Sequence, residues 1–333
     1  MAPLAALGWT EFFEDQMGDS ERHLAPRRIS SVHRTRVDAI DANGPAALVL
    51  PPNASTADLA VGDWVLADPA SHLLVRRLER QTLLQRRTES RNMPQLAAAN
   101  IDTLFIVTSC NVDFNLARLE RYVALANQAG TVPVIVLTKA DLGEAAPYET
   151  EAKALQRDLP VVVLNAKSAD AVLALAPWCG FGQTVGLVGS SGVGKSTLVN
   201  TLAGANADGV QKTGEIREHD SQGRHTTTAR SLHAMAGGGW VIDTPGMRTL
   251  YVSDASEGID TLFAEITELV PLCKFRDCTH VHEPGCAVQA AIRAGTLPVE
   301  RFERWQTMSQ ENRSNTPVLS GPRGNKVIRP KKY

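Results

Sequence analysis

Residues 134–143 read VIVLTKADLG, an apolar run that ends in Thr138 and Lys139 and then presents the carboxylate of Asp141. Residues 186–200 read GLVGSSGVGKSTLVN. The second stretch fits G-x-x-x-x-G-K-[ST] from Gly189 to Ser196, with an apolar strand-like run before it and the helical STLVNTLAG after it. That context predicts strand, phosphate-binding loop and helix. The order is the puzzle: a loop whose carboxylate reads a nucleotide base ordinarily follows the phosphate loop, and here it comes first.

Five short apolar runs surround these stretches: TLFIVTS (103–109), VPVIVLT (132–138), PVVVL (160–164), TVGLVGS (184–190) and GWVIDT (239–244). Separated by helical patterns, they predict buried strands in α/β layers. Between the first two, Leu116, Leu119, Val123 and Ala126 recur at helical spacing, with Gly130 as the stop. A parallel sheet tolerates cutting its chain at one loop and rejoining the ends, provided each strand keeps its neighbours, and domain termini often lie close together. The order then has a simple explanation, a circular permutation. It also makes the Asp243 strand the last of the sheet, so the loop after it runs straight into the C-terminal part, which can then move with nucleotide state.

The chain of 333 residues is 43% hydrophobic, enough for more than one core. Residues 30–92 read as short β segments broken by Asn-Gly, Pro-Pro and Asp-Pro, a rhythm that fits a small barrel. We expect an N-terminal extension over 1–29, the barrel over 30–92, the nucleotide-binding layers over 93–254, and a helical part with a basic tail over 255–333. In the last of these, Val299, Phe302, Trp305 and Met308 form one helical stripe. No apolar run reaches the roughly 18 residues that cross a bilayer, and the acidic start lacks a leader pattern, so a cytoplasmic chain with no membrane partner is expected. The net charge of −2 does not advertise nucleic acid, but the basic residues cluster: Arg27, Arg28, Arg34 and Arg36; Arg76, Arg77, Arg80, Arg86, Arg87 and Arg91; and five in the tail GPRGNKVIRPKKY. Such clusters can neutralise phosphates, and each is equally compatible with a solvated surface.

The chemistry of the nucleotide stretches follows from their residue types. Glycines at 189, 192 and 194 let successive backbone N–H groups curl round phosphate, and the helix N-terminus favours the anion. Gly189, Ser190, Ser191, Gly192, Val193, Gly194, Lys195, Ser196 and Thr197 form the expected cradle, with Lys195 on the β and γ phosphates and Ser196 on magnesium. In DTPGM, Asp243 at a strand end can hold the magnesium shell, and the Gly246 amide can meet the γ-phosphate. Asp141 can accept from the ring NH and the exocyclic amine of guanine together, a pair of donors that adenine lacks. Lys139 can lay its stem across the base. Thr138 stands where GTPases usually have asparagine, and one hydroxyl does less than an amide, which leaves ATP as a rival. In LNAKS, the Ala166 and Lys167 backbone can contact the guanine carbonyl, with Asn165 where serine is usual.

Cys273, Cys278, His280 and Cys286 give C-x4-C-x-H-x5-C, three thiolates and an imidazole within fourteen residues. That donor set suits one tetrahedral Zn2+ with no open position, hence a structural site bracing a small helical region. His282 could compete as the ligand. Five cysteines in a chain expected to be intracellular argue against a disulfide framework, and Cys110 and Cys179 read as core.

Base reader, phosphate loop and DTPG in this order resemble the circularly permuted GTPases, and more closely the ribosome small-subunit-dependent GTPase A family, RsgA or YjeQ. GRHTTT at 223–228, the barrel-like segment in front and CKFRDCTHVHEPGC behind carry the closer match. The resemblance implies an OB-fold, a permuted P-loop GTPase domain and a C-terminal helical zinc domain. It implies a monomer that binds GTP and GDP with Mg2+, docks on 16S rRNA and the 30S subunit late in its maturation, and couples ribosome-stimulated hydrolysis to release. It favours His280 over His282 as ligand and points to His225 for orienting water, since Met247 stands where Ras-like enzymes have glutamine. One of Thr226, Thr227 or Thr228 would complete the magnesium shell. The alternative is an RNA-binding assembly factor that uses nucleotide without hydrolysing it.

Overall fold

The computed structural model describes residues 2–86, 95–204, 230–243, 252–316, 318–320 and 326–328. Two single-turn helices, α1 (Ala2–Ala5) and α2 (Glu11–Glu14), precede β1 (Ala25–Val32), β2 (Val37–Asp41), β3 (Gly44–Ala46), β4 (Trp64–Ala67) and β5 (Leu74–Arg77). Strand β1 pairs antiparallel with both β2 and β4, β2 with β3, and β4 with β5. A parallel bridge from Val49 to Leu73 joins the segment after β3 to the start of β5 and closes the circuit. This is the five-stranded Greek-key barrel of an OB-fold. Ile29, Val65 and Leu74 fill its interior with Val37 and Leu59.

The N-terminal residues are part of this unit. Leu7, Trp9, Phe13 and Leu24 pack on Trp64, Leu66 and Leu78, with the Trp9 and Trp64 rings edge to face at 4.8 Å. The boundary expected at 29/30 falls inside β1. The arginines expected as phosphate neutralisers are largely committed within the protein. Arg28, 1% exposed, donates to the Leu7 carbonyl (2.5 Å), Thr184 Oγ1 (2.8 Å) and the Asn100 carbonyl (3.2 Å), and burial pulls its pKa down to about 10. Arg27 donates to the Ala47 carbonyl and lies against His72. Arg76 pairs with Glu21 at 2.6 Å and Arg80 with the buried Asp63 at 2.6 Å. Arg34, Arg36 and Arg77 stay exposed. Arg87, Arg91 and the boundary at 92/93 lie outside the described residues.

Strands β6 (Leu83–Arg86) and β7 (Gln95–Ala99) form an antiparallel pair that leads into the nucleotide-binding layers. These run β8 (Thr103–Ser109), α3 (Leu116–Gln128), β9 (Val132–Thr138), α4 (Ala146–Lys153), β10 (Val161–Val163), α5 (Asp170–Leu175), β11 (Thr184–Val188), α6 (Lys195–Ala203), β12 (Arg230–Ala234) and β13 (Trp240–Asp243). In space the order is β10-β9-β8-β11-β13-β12. The first five strands are parallel, β12 is antiparallel, and β12 pairs in turn with the barrel's β1 through Ser31↔Ser231 and Val32↔Arg230. The parallel strands read as near-continuous apolar runs because both faces are covered. Leu104, Ile106, Ile135 and Leu137 face α3, whereas Phe105, Val107, Val134, Val136 and Leu187 face α5 and α6. Burial also pushes the Cys110 and Cys179 thiols up, the latter to about 12, as befits core residues.

Of the C-terminal helices α7 (Ser256–Leu262), α8 (Ala264–Thr267), α9 (Ala287–Arg293) and α10 (Val299–Asn315), α7 packs on α3 and α10 is joined to it by ion pairs, and β14 (Val318–Ser320) pairs with β15 (Lys326–Ile328) in the tail. The contact turns on charge. Glu120 of α3, 1% exposed, accepts from Arg301 at 2.9 Å and Arg304 at 2.7 Å. Arg301 also reaches Glu265 at 2.7 Å and the carbonyls of Leu155 and Leu262, and its guanidinium lies 4.0 Å from the centre of the Phe263 ring. The stripe expected on α10 holds for Phe302 and Met308, which are buried, and for Trp305, which packs against the same core, while Val299 is 48% exposed and Arg301 is buried at that end instead. Among the described residues no helix is long and apolar enough to cross a membrane.

Candidate nucleotide and metal sites

The phosphate loop leaves β11 at Gly189, where φ is +142° and any Cβ would collide with the Val107 carbonyl oxygen. Gly192 and Gly194 also take positive φ, +77° and +98°, so the backbone turns through conformations that only glycine adopts cheaply. Gly194 caps α6, whose first residue is Lys195. The Lys195 ammonium folds over the loop and donates to the carbonyls of Gly189 (2.8 Å) and Ser190. Ser191 and Ser196 are exposed, Ser190 and Thr197 half-buried, and Val193 fully buried as the loop's anchor in the core.

The base-reading segment meets this loop through Thr138. Its side chain is 0% exposed, and its hydroxyl lies 2.6 Å from the Val193 carbonyl and 3.1 Å from that of Thr108. The single hydroxyl proton is therefore spent on the backbone, and Thr138 ties the end of β9 to the phosphate loop. Lys139 follows in the left-handed region, φ +57°, and Asp141 stands exposed in the next turn. A Cβ on Gly194 would sit 3.6 Å from Thr138 Oγ1 and 3.8 Å from Ala166 Cβ, which shows how closely the three segments converge. Thr201 of α6 donates to the Ala166 carbonyl at 2.7 Å. Asn165, where serine is usual, accepts from the Lys167 amide at 3.0 Å and so shapes the same turn. The convergence brings the exposed Asp141 carboxylate, the Ala166–Lys167 turn and the glycine loop to one end of the sheet. The backbone of Asp243 pairs beside Leu187, two residues before the loop. His225, Thr226, Thr227, Thr228 and Gly246 lie outside the described residues.

In the C-terminal part, the ligand atoms of Cys273, Cys278, His280 and Cys286 all lie within 4.8 Å of one another. His280 Nδ1 is 3.5 Å from the sulfurs of both Cys273 and Cys286, and those sulfurs are 3.9 Å apart. A tetrahedral ion with metal–sulfur bonds of ~2.3 Å requires sulfur separations of ~3.8 Å, so the donors fit such an ion with little movement. The histidine is held in place: its backbone is left-handed (φ +62°), its carbonyl accepts from Gln289 at 2.8 Å, and its ring meets Trp305 edge to face. His282 is exposed and outside the cluster.

The RsgA GTPase family model matches residues 77–253. A small ribosomal subunit biogenesis GTPase RsgA of Mesorhizobium japonicum is 68% identical over 324 residues, 97% of this chain and 94% of that one. The chain belongs to the RsgA GTPase family. A second relative, small ribosomal subunit biogenesis GTPase RsgA 2 of Vibrio vulnificus, is 45% identical over 96% of this chain and 91% of its own length. Among solved structures, YjeQ from Thermotoga maritima superposes with a TM-score of 0.61 at 24% identity, covering 86% of this chain and 98% of that one. YloQ, described as a circularly permuted GTPase, gives 0.60 at 22%, covering 89% and 97%. At those identities the two structures speak for the fold alone, and the fold includes the permutation.

Within this chain one neighbour of the phosphate loop carried no motif. Arg118, in the first turn of α3, donates from Nη1 to Ser190 Oγ. No spacing rule relates it to the glycine loop, because the pairing depends on β8 and β11 being adjacent in the sheet. Glu120, Arg301 and Arg304 carry no motif either, because they meet only where α10 comes against α3.

Proposed function

We propose that this chain is a GTPase of small ribosomal subunit biogenesis, a cytoplasmic monomer that binds the 30S subunit through 16S rRNA and couples GTP hydrolysis to its release. The observation that carries the reading is the convergence of the Thr138–Asp141 and Ala166–Lys167 segments on the Gly189–Thr197 loop, in a chain whose relatives bear that name. Guanine sits against Lys139 with Asp141 accepting from its two edge donors, and Ala166 and Lys167 present backbone to its carbonyl. Gly189 to Gly194 wrap the phosphates with their amides, and Lys195 leaves its own loop carbonyls for the β and γ phosphates. Ser196 and Asp243, with one of Thr226 to Thr228, hold the Mg2+, which when bound neutralises charge developing on the phosphates. His225 orients water, the Gly246 amide meets the γ-phosphate, and the barrel and helical part dock on RNA. The Cys273, Cys278, His280 and Cys286 set holds one structural Zn2+. The working division is barrel to about 92, GTPase layers to 254, and zinc-binding helices beyond.

GTP turnover with and without purified 30S subunits tests this. Ordering of a GTPase site by its partner adds about 10³-fold or more, and that gain is expected here, abolished in Lys195→Ala and blunted in His225→Ala. A flat rate with GTP still bound would instead favour an assembly factor that uses nucleotide only as a structural ligand.

Base choice rests on Asp141, since the Thr138 hydroxyl is occupied. Asp141→Asn exchanges an acceptor for an amide that can donate. Competition binding is expected to show GTP affinity falling by about 10²-fold or more while xanthosine triphosphate, with a carbonyl at the position of the amine, gains. Unchanged GTP affinity in that variant would remove Asp141 from the base site.

A further inference from the structure

Two cations converge on one residue of the phosphate loop. Lys195 donates to the Ser190 carbonyl, and Arg118 donates to the Ser190 hydroxyl. Like charges brought to one residue repel unless an anion lies between or beside them. The described residues supply none for Arg118. Its neighbours on α3 are committed elsewhere, Glu120 to Arg301 and Arg304, and Arg121 to Glu311 at 2.7 Å. A hydroxyl is a modest partner for a guanidinium, whose fork of donors matches phosphate oxygens. Arg118 is also well mounted for the task. Asn115 caps its helix by accepting from the Arg118 amide at 2.9 Å, and Leu119, Tyr122 and Val123 bury the same turns against the sheet. The guanidinium is thus delivered to the loop from a rigid element on the sheet face opposite α6.

We propose that Arg118 is a second phosphate-binding cation of this site, which leaves Ser190 for the terminal phosphate of a bound nucleoside triphosphate. The inference rests on the reading of the site as a guanine nucleotide site. Lys195 holds the chain of phosphates along the loop, and Arg118 adds its charge only where the third phosphate is present. Arg118 thereby adds to the separation of the triphosphate from the diphosphate that Lys195 begins.

The test measures binding of fluorescent GDP and of a fluorescent, non-hydrolysable GTP analogue to the full chain with Mg2+, in wild type, Arg118→Met and Arg118→Lys. Methionine keeps an apolar stem in place of the arginine stem and removes the charge. One charge-assisted hydrogen bond is worth about tenfold in affinity. The Arg118→Met variant is therefore expected to lose about tenfold for the triphosphate analogue and less than about twofold for GDP, with Arg118→Lys recovering part of the loss. Equal weakening of both ligands, or of neither, would overturn the proposal and leave Arg118 as a brace of the loop. Should the Arg118→Met protein fail to fold, Arg118→Lys decides: a loss confined to the triphosphate analogue supports the proposal, and no loss or an equal loss overturns it. Wild-type protein that binds neither nucleotide would overturn the underlying reading as well, whereas wild-type binding with an unchanged ratio in the variants overturns only the role of Arg118.

Discussion

Cys286→Ser, or removal of metal by a chelator, is expected to unfold the region between α8 and α10 outright. The helices there cannot stand alone: α8 has four residues and α9 seven, well below the roughly 12 to 15 at which an isolated helix becomes even marginal in water. Val288 and Leu297 tie the segment to the core it shares with α3, the cluster of three sulfurs and one imidazole holds the rest, and Cys286 serves it twice. It lies 3.5 Å from His280 and 3.9 Å from Cys273, and its sulfur also accepts from the Gln289 amide at 3.4 Å to cap α9. Because such a ligand set is assembled only in the folded chain, metal affinity is folding free energy, of order 10 kcal/mol for structural zinc sites. Metal content by mass spectrometry should fall to zero, and limited proteolysis should cut between about 269 and 298. Nucleotide binding should persist, since the phosphate loop belongs to a different core. A chelated protein with the original cleavage pattern would show that the cluster does not hold this region together.

Glu120→Gln is expected to lower stability by about 3–5 kcal/mol, because breaking one partner of a buried ion pair leaves charge uncompensated. Arg301 has 7% of its side chain exposed and would keep only Glu265 and two carbonyls, and Arg304 would lose its carboxylate partner. For a domain of 150–250 residues each kcal/mol shifts the unfolding midpoint by ~2–4 °C, so a drop of roughly 6–20 °C is expected by calorimetry. Glu311→Gln is the internal comparison. It breaks another bridge between the same two helices, Arg121 to Glu311, but one whose side chains are 30% and 24% exposed, and such pairs contribute only about 0–1 kcal/mol. Equal shifts in the two variants would mean that burial is not what distinguishes them.

The parallel strands were legible because each is covered on both faces, so Leu104 to Val107 and Val134 to Leu137 read as unbroken apolar runs. The glycine loop was legible because its φ values demand glycine at fixed offsets. The metal cluster was legible because its four donors are close in the chain. Other features depend on contacts far apart in sequence. Arg27, Arg28, Arg76 and Arg80 looked like a surface for phosphate, and their actual partners lie up to 156 residues away, as with Arg28 and Thr184. Charge counted along a chain does not say which charges face inward. The N-terminal aromatics Trp9 and Phe13 belong to the barrel only because Trp64 and Leu66 meet them there. On α10 the helical period and phase held for Phe302, Trp305 and Met308, and only the start of the stripe differs, because Glu120 and Phe263 give Arg301 a reason to be buried that its own neighbours do not supply, while Val299 stays exposed. Thr138 looked like a weakened base contact; the Val193 carbonyl gives it other work.

The pairing of β1 with β12 gives the molecule a particular stiffness. Strand β12 leaves the GRHTTT-bearing segment and is hydrogen-bonded on one edge to β13 and on the other to the barrel, through Ser31↔Ser231 and Val32↔Arg230. The barrel therefore does not hang from a hinge; it shares a rail with the nucleotide-binding sheet. A pull on that strand from its upstream end has two outcomes, shearing a short ladder or tilting a whole barrel, and the second spreads the strain over far more contacts. Any load placed on the barrel reaches the same rail from the opposite end.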